Sequence, residues 1–399
     1  MQEWKTYRIG DICKRVCSGG TPKSTEPSYY DGEIPWLNTK EINFNRISST
    51  EKHITQSGLD NSSAKWIDKN SVIVAMYGAT AAKVAINTIP LTTNQACCNL
   101  SIDETKADYR FVYYWLCSHY TELASLANGG AQQNLNAQQI KDFEIKLPEI
   151  QTQQKIADLL WSIDNKIICN KSINDNLEQQ AQTLYKSWFV DFEPFKDGEF
   201  IESELGQIPE GWQCIPFSMF VTVSKAKTGK IGIKEYSVTN NGIFPRDAKY
   251  NKSLSQSSTK NKLILYGDLV FGMSRDILNW GVMQEEQGGV SSAYTVYNIN
   301  SGIVNSTYLE LFIKSRIHLF SDLIRPAARE GQGIDKSVLQ TKVLLCPPQE
   351  VLDTFWPLYN SVTNQIQTTT TEINCLGDVR DTLLPKLMSG ELKINEIDC

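Results

Sequence analysis

No stretch of this chain approaches about eighteen consecutive apolar residues, so no membrane-spanning helix is expected. Its opening, MQEWKTYRIGD, has no apolar core and does not read as a secretory signal. Histidine is scarce, with 3 residues in 399. The 10 cysteines form no CxxC; Cys13 and Cys17 are four apart and Cys97 and Cys98 are adjacent. No zinc or other metal site is expected from such a set. The thiols read as reduced, mostly buried packing residues of a cytoplasmic protein. Catalytic signatures are missing too. There is no GxxxxGK(S/T) phosphate loop, GxGxxG, HExxH or GxSxG, and no segment alternates strands and helices as a dinucleotide-binding domain does. Lys83 follows Gly78 in YGATAAK, but at the wrong spacing for a phosphate loop. Asp142, Glu144 and Lys146 in KDFEIK resemble the end of a metal-dependent nuclease motif, yet no Pro-Asp partner precedes them. No catalytic residue is therefore expected, and the chain reads as a binding scaffold.

A surplus of positive charge is also absent. The net charge of −6 argues against a protein that coats nucleic acid over its whole surface. The charge is nevertheless partitioned. Residues 225–262 carry nine Lys or Arg against two acidic residues, whereas residues 186–204 carry two Lys against six. The basic segment reads as either a nucleic-acid face or a solvated lysine-rich surface.

What the chain does contain is a duplication. Residues 109–148 align without a gap on residues 308–347, pairing Tyr109 with Tyr308, His119 with His318 and Pro148 with Pro347. Upstream, NSVIVAM from Asn70 meets GDLVFGM from Gly267, and NQACCNLSI from Asn94 meets SSAYTVYNI from Ser291. A unit of roughly 200 residues thus occurs twice. In each copy short β-rich runs surround one aromatic helix, in which His119 and His318 read as packing residues. The period then changes. Ile156, Leu160, Ile163, Ile167, Asn170, Asn174, Leu177, Ala181, Leu184 and Trp188 alternate spacings of four and three, a coiled-coil heptad with two register-setting asparagines. Copy two repeats it with Val351, Phe355, Leu358, Val362, Ile366, Ile373, Leu376, Leu383 and Leu387. Two such helices, each about 60 Å long at about 1.5 Å per residue, are expected to pair with each other in antiparallel fashion.

Four stretches are distinctive: GGTPKSTEPSYYDGEIPWLNTKEI at 19–42, KLPEIQTQQKIADLLWSID at 146–164, KSWFVDFEPF at 186–195 and LLPKLMSGEL at 383–392. With the duplicated layout, they make the whole chain resemble the specificity (S) subunits of Type I restriction-modification systems. The resemblance implies an α+β fold, in which two β-rich target recognition domains are separated by two long antiparallel coiled-coil helices with a pseudo-twofold internal repeat. The implied boundaries are 1–148 and 201–347 for the recognition domains, and 149–200 and 348–399 for the spacer helices. Each domain would read one half of a bipartite duplex DNA site. The helices would set the gap and dock two methyltransferase (M) subunits, and restriction (R) subunits would join through them. S-adenosylmethionine, ATP and Mg would belong to those partners, with none in this chain. A coiled-coil protein-binding adaptor and a stand-alone DNA-binding regulator are the alternatives.

Base edges call for Arg, Lys, Asn or Gln, and phosphates for Lys, Arg, Ser or Thr. By loop position the DNA-contacting candidates in the first copy are Thr21, Lys23, Asn38, Thr39, Lys40, Tyr77, Thr80, Lys83, Gln132, Gln133 and Asn134. In the second they are Lys225, Lys227, Lys230, Asn240, Lys249, Lys252, Ser274, Arg275, Arg329 and Gln332. The helix and subunit interface is expected to use Ile156, Leu160, Ile163, Ile167, Leu177, Leu184, Trp188, Phe189, Phe192, Leu358, Val362, Ile366, Ile373, Leu376, Leu383 and Leu387. The aromatic run YKSWFVDFEPFKDGEF at 185–200 falls where the first copy ends. Its interleaved carboxylates would repel phosphates, so it reads as a packing joint rather than a base-stacking platform. Trp188 is expected in the seam, with Phe189 and Phe192 over the globule or a methyltransferase face.

Overall fold

The computed structural model describes residues 4–127, 134–229, 233–246, 260–274, 276–324 and 334–394. The fold is α+β, and the chain forms two compact units: Met1–Asn174 with Gln367–Cys399, and Asp175–Ile366. Both division points fall inside long helices.

In the first unit, β1 (Lys5–Arg8) leads through a 3-10 turn to β2 (Cys13–Ser18), β3 (Tyr30–Leu37), β4 (Asn45–Ile47) and β5 (Lys52–Ile54). A short α1 (Gln56–Asp60) precedes β6 (Trp66–Ile67), β7 (Val72–Ala75), β8 (Val84–Asn87), β9 (Leu91–Thr93) and β10 (Cys97–Ile102). The aromatic helix α2 (Tyr109–Ser118), then α3 (Tyr120–Ser125), α4 (Ala137–Asp142) and β11 (Glu144–Leu147) lead into α5 (Ile150–Phe189). The strands form a sheet ordered β2-β10-β7-β8-β4, a second ordered β5-β3-β9-β6, and the pair β1-β11. β7, β8 and nearly all of β10 are buried along their whole length, which is why they read as continuous apolar runs instead of alternating ones.

The second unit begins with β12 (Phe200–Ser203), β13 (Gly206–Pro209), β14 (Gln213–Pro216), β15 (Val221–Val223), β16 (Tyr236–Thr239) and β17 (Gly242–Pro245). It continues with β18 (Lys262–Leu265), β19 (Leu269–Phe271), β20 (Trp280–Val282), β21 (Gln287–Val290) and β22 (Thr295–Ile299). Helices α6 (Ser306–Ser315) and α7 (Lys336–Thr341), strand β23 (Val343–Cys346) and the first part of α8 (Gln349–Ser389) complete it. The order β15-β22-β19-β20 reproduces β2-β10-β7-β8, and β14-β23 reproduces β1-β11. The helix caps repeat as well. Asp108 accepts from Arg110 N at 2.8 Å to start α2, and Asn305 accepts from Thr307 N at 2.9 Å to start α6. Asn136 and Asp335 cap α4 and α7 in the same way. The pair β18-β21 reproduces β6-β9, with Leu263 opposite Gly289 as Trp66 is opposite Thr92. The copies part company between β2 and β6, where the first has β3, β4 and β5 and the second has the hairpin β16-β17.

In each unit a stretch of α5 packs against a stretch of α8, and in the first unit the two run antiparallel. In the first, Asp164 Oδ1 lies 3.0 Å from Arg380 Nη1, Lys166 Nζ 3.3 Å from Glu372 Oε1, and Asn174 Nδ2 donates to Thr370 Oγ1 at 2.9 Å. Partner numbers fall from Arg380 to Thr370 as the α5 numbers rise. Asn170 is buried and, among the described residues, its Nδ2 has no partner, a desolvation cost that a mid-seam asparagine bears in exchange for register. In the second unit Tyr185, Trp188 and Phe189 surround Phe355 with ring centroids at 6.3, 5.7 and 4.7 Å.

The heptad expectation matches the burial of Ile156, Leu160, Ile163, Ile167 and Leu177 on α5 and of Leu387 on α8. Val362, Ile366, Ile373, Leu376 and Leu383 are half-buried. It slips at two places. Leu184 and Trp188 are half-buried, while Tyr185 and Phe189, one residue on, are buried. Leu358 is not in the seam: it is 48% exposed. Tyr359 takes the inward place because it stacks on Phe355 at 5.5 Å and 26°, an i,i+4 aromatic pair that sets the helix phase. Phe192 lies past the helix end in the left-handed region at φ 55°, against Trp212 at 5.4 Å and Phe200 at 6.0 Å. Pro148 and Pro194 flank α5, but α8 contains Pro357 and Pro385 in its interior, each removing one helical donor.

His119 stacks on Trp115 at 4.0 Å, as a packing histidine should, but His318 is exposed. The nine described cysteines are free. Burial pushes the thiols of Cys13, Cys98 and Cys346 up to about 12, so they stay protonated and inert. Cys169 and Cys375, in contrast, are exposed on the long helices, contrary to the buried-thiol expectation; each precedes a seam residue and points outward. Among the described residues no helix is long and apolar enough to cross a membrane.

Phe355→Ala should cost about 3–5 kcal/mol by cavity formation in the second core, whereas Leu358→Ala should stay within about 0.5 kcal/mol. Denaturant unfolding midpoints of the two variants check the difference.

Candidate nucleic-acid interface

The first unit collects its candidate residues because several strands end at one edge. Cys98 stands opposite Ser18 at the end of β2, and Cys97 opposite Ala75 at the end of β7. Leu37 stands opposite Thr93 where β3 and β9 end together. The turns after β2, β3, β7 and β9 therefore leave from a common rim. Hydrogen bonds stitch them to one another. Gly20 N donates to Thr93 O at 2.8 Å, Asn94 N to Leu37 O at 2.9 Å, and Lys83 Nζ to Asn43 Oδ1 at 2.8 Å. Tyr77 pairs with Asn134 in an isolated bridge, and Leu135 N donates to Met76 O at 2.8 Å.

The GGTPKSTEP loop is built, not loose. Trp36 Nε1 donates to Gly20 O at 2.9 Å and Tyr30 OH to Pro22 O at 2.7 Å. Gly20 passes so close to the next segment that a Cβ would sit 2.1 Å from Ala64 N. With Pro22 buried beneath, Thr21 and Lys23 are held exposed at the rim. Asn38 has a different job. Its side-chain oxygen caps the 3-10 turn Thr39–Glu41 and accepts from Asn94 Nδ2 at 3.3 Å, and Glu41 Oε1 closes the box on Asn38 N at 2.9 Å. Its position makes it a scaffold residue rather than a free reader. Thr39 is half-buried beside it. Lys40 is exposed and pairs with Glu51, whose hydrogen bond raises the ammonium above its ordinary range. Tyr77 is 45% exposed, and Thr80 and Lys83 follow on the same turn, which Gly78 opens at φ 78°.

Two rim residues escape the sequence reading. Gln95 is exposed at the tip of the turn that Asn94 braces, with Asn94 Oδ1 accepting from Ala96 N at 3.1 Å. Phe44 is exposed at φ 53°, a conformation that bulky residues rarely adopt. It lies edge-on to Tyr120 at 5.3 Å and beneath the Lys83 ammonium at 6.0 Å. The Asn-Gln and Asn-Phe-Asn turn chemistry was the available signal.

In the second unit, Lys225 and Lys227 are exposed on the segment that follows β15, which lies against β18: Leu263 N donates to Ala226 O at 3.0 Å, and Lys227 bridges to Lys262. Lys262 itself is structural. Its ammonium donates to Tyr294 O, and burial, then the Lys336 charge, lowers its pKa. Ser274 is buried and accepts from Asn279 N at 2.9 Å, so it shapes the turn between β19 and β20 and is not an exposed contact. Asn240 is exposed on the β16–β17 hairpin turn. Gln132, Gln133, Lys230, Lys249, Lys252, Arg275, Arg329 and Gln332 lie outside the described residues.

Residues 1–179 match the family model of the Type I restriction modification DNA specificity domain. The chain is 27% identical over 416 residues to the Type I restriction enzyme MjaIX specificity subunit of Methanocaldococcus jannaschii, covering 99% of this chain and 95% of that one. Residues 1–179 thus match a Type I restriction modification DNA specificity domain, and the whole chain is similar to a Type I specificity subunit. Another specificity subunit, that of Type I restriction enzyme EcoR124I/EcoR124II from Escherichia coli, is 27% identical over 192 residues, 47% of this chain and 46% of its own. The crystal structure of the Type I S subunit from M. genitalium has the same fold, with a TM-score of 0.58, 14% identity and 96% coverage of each chain. Divergence from these specificity subunits is heavy, so the fold is shared while rim side chains are not inherited one by one.

Gly20→Ala should destabilise the first unit far more than Gly78→Ala. The former drives a Cβ into backbone, whereas the latter meets open space and pays only about 1 kcal/mol for its positive φ. Denaturation midpoints of the two variants would show the gap.

Proposed function

We propose that this specificity subunit reads duplex DNA for a Type I restriction-modification complex and carries no catalytic residues of its own. Each unit reads one half of a bipartite site through its rim. The observation that supports this best is the repeat itself: one strand order occurs twice, yet the turns it presents carry different side chains. Two readers of two sequences require that combination. Asn, Gln, Lys and Thr at the rim can address base edges and phosphates.

In this reading, α5 and α8, each an unbroken helix of 40 and 41 residues, set the gap between half-sites and dock two methyltransferase subunits, through which restriction subunits join. S-adenosylmethionine, ATP and Mg act in those partners, and the complex works in the cytoplasm. Exposed apolar side chains on the helices, Ile168 and Val379 among them, suit a surface that a partner covers.

Co-expression with a methyltransferase partner, followed by genome-wide mapping of methylated adenine, tests the proposal. A bipartite motif is expected, and a continuous motif or no methylation would sink it. Arg275→Ala should relax the half-site read by the second unit and leave the other half unchanged. Trp188→Ala should lower the yield of assembled complex before it alters the motif, because the ring packs on Phe355 and Phe195 inside the second unit. Co-elution with the methyltransferase and the methylation motif report the two effects separately.

A further inference from the structure

The first unit carries a second basic feature, away from the rim, that its repeat copy lacks. A cleft of about 480 Å³ lies between the edge strand β2, the turn before it and α4. Four cations line it, Arg8, Lys14, Arg15 and Lys141, against two carboxylates, Asp11 and Asp142. Asp142 is already engaged, by Arg8 at 3.3 Å and by Gln138 Nε2 at 2.8 Å. Among the described residues Lys14, Arg15 and Lys141 have no carboxylate within ion-pair distance. Arg15 is tied to backbone instead: its Nη1 donates to Trp66 O at 3.5 Å.

Strand register shows that this is a local addition. Ser101 pairs with Arg15 but Ile102 pairs with Cys13, so Lys14 is the extra residue of a β-bulge. Bulges of this kind re-aim a side chain and are kept for that purpose. In the second unit the matching pairs, Thr222 with Asn298 and Val221 with Ile299, run without a bulge. There the places of Arg8, Arg15 and Lys141 are taken by Pro216, Thr222 and Gln340. None of those three positions is basic in the second unit, and Lys14 has no counterpart there.

We propose that the β2 edge, through Lys14, Arg15 and Lys141, grips the phosphate backbone of the duplex whose bases the first rim reads. The inference rests on the DNA-reading role above. Arg15 stands three residues back from Ser18, about 10 Å along the strand at about 3.3 Å per residue. The major groove is about 8.5 Å deep. A rim lowered into that groove brings the β2 edge level with the backbone wall, where cations are wanted. The grip belongs to the first unit alone, so sequence-independent affinity is unevenly divided between the two halves.

The test uses the complex with its methyltransferase subunits, a 30-bp duplex of random sequence (about three turns), and anisotropy titrations across a salt series. Lys14→Ala/Arg15→Ala should bind roughly tenfold more weakly at about 0.1 M salt, and the log–log salt slope should shrink by about two, one per phosphate lost. The methylated motif should not change. Thr222→Ala/Gln340→Ala in the second unit should leave the slope alone. Charges on an edge strand also block edge-to-edge pairing. A double variant with an unchanged slope that merely aggregates would assign Lys14 and Arg15 to that role and overturn the proposal. Should the double variant fail to co-purify, Lys14→Gln/Lys141→Gln is read by the same slope, with an unchanged value again overturning it. Wild-type complex that does not bind the duplex at all would refute the DNA-reading role itself.

Discussion

Each core is completed by a helix end that comes from the other copy of the repeat. Leu387 and Met388, at the end of α8, are buried in the first core with Phe111 and Trp115. Tyr185 and Phe189, at the end of α5, are buried in the second with Tyr308 and Phe355. Neither globule can exclude water from its aromatic helix until residues far away in sequence arrive. The first unit therefore waits for the end of α8, a high-contact-order arrangement that is slow to assemble. The aromatic stretch at the midpoint is where that dependence is met. Phe189 touches Trp212, Tyr308 and Phe355 with centroids at 5.8, 5.3 and 4.7 Å. It is a joint between helix and globule, as its carboxylate-flanked composition implies.

A second constraint holds the first rim to its helices. Asp164 on α5 accepts from Tyr114 OH at 2.6 Å and from Arg380 Nη1 at 3.0 Å, and lies 3.9 Å from Arg46 Nη2. Arg46 stacks on Trp161 with its guanidinium 3.3 Å from the ring. Burial, and next the Asp164 carboxylate, hold the Tyr114 phenol far above its usual range. One carboxylate among two guanidiniums and a phenol is costly to desolvate but specific in geometry. Arg46 belongs to β4, immediately after the rim turn bearing Asn43 and Phe44, so the rim is referenced to the helix pair through charge as well as through packing. In the second unit the matching service comes from Arg316, which donates to Phe189 O at 2.7 Å and caps the end of α5.

The candidate interface shows what loop chemistry can and cannot reveal. Lys23, Tyr77 and Lys83 lie on the rim, where a reading of exposed polar turns would put them. Asn38 and Ser274 have the right chemistry, but their oxygens are committed to backbone donors. Nothing in a single sequence separates a reader from a cap, because Asn and Ser serve both roles. Phe44 and Gln95 were missed for the opposite reason. They sit in turns too short to stand out, and only the meeting of several strand ends makes those turns neighbours.

The duplication, the strand-rich globules and the two long amphipathic helices were determined by local pattern: short β-rich runs and a period-seven seam are written in residue order, and a repeat shifts both together. Tertiary structure alone decided which residue of a heptad faces inward where aromatics compete, as Tyr359 displaces Leu358. It decided that Lys14 bulges from an edge strand, since a bulge is a property of the pairing between β2 and β10. It also decided that four turns from four strands share one rim, because register across a sheet is set by partners distant in sequence.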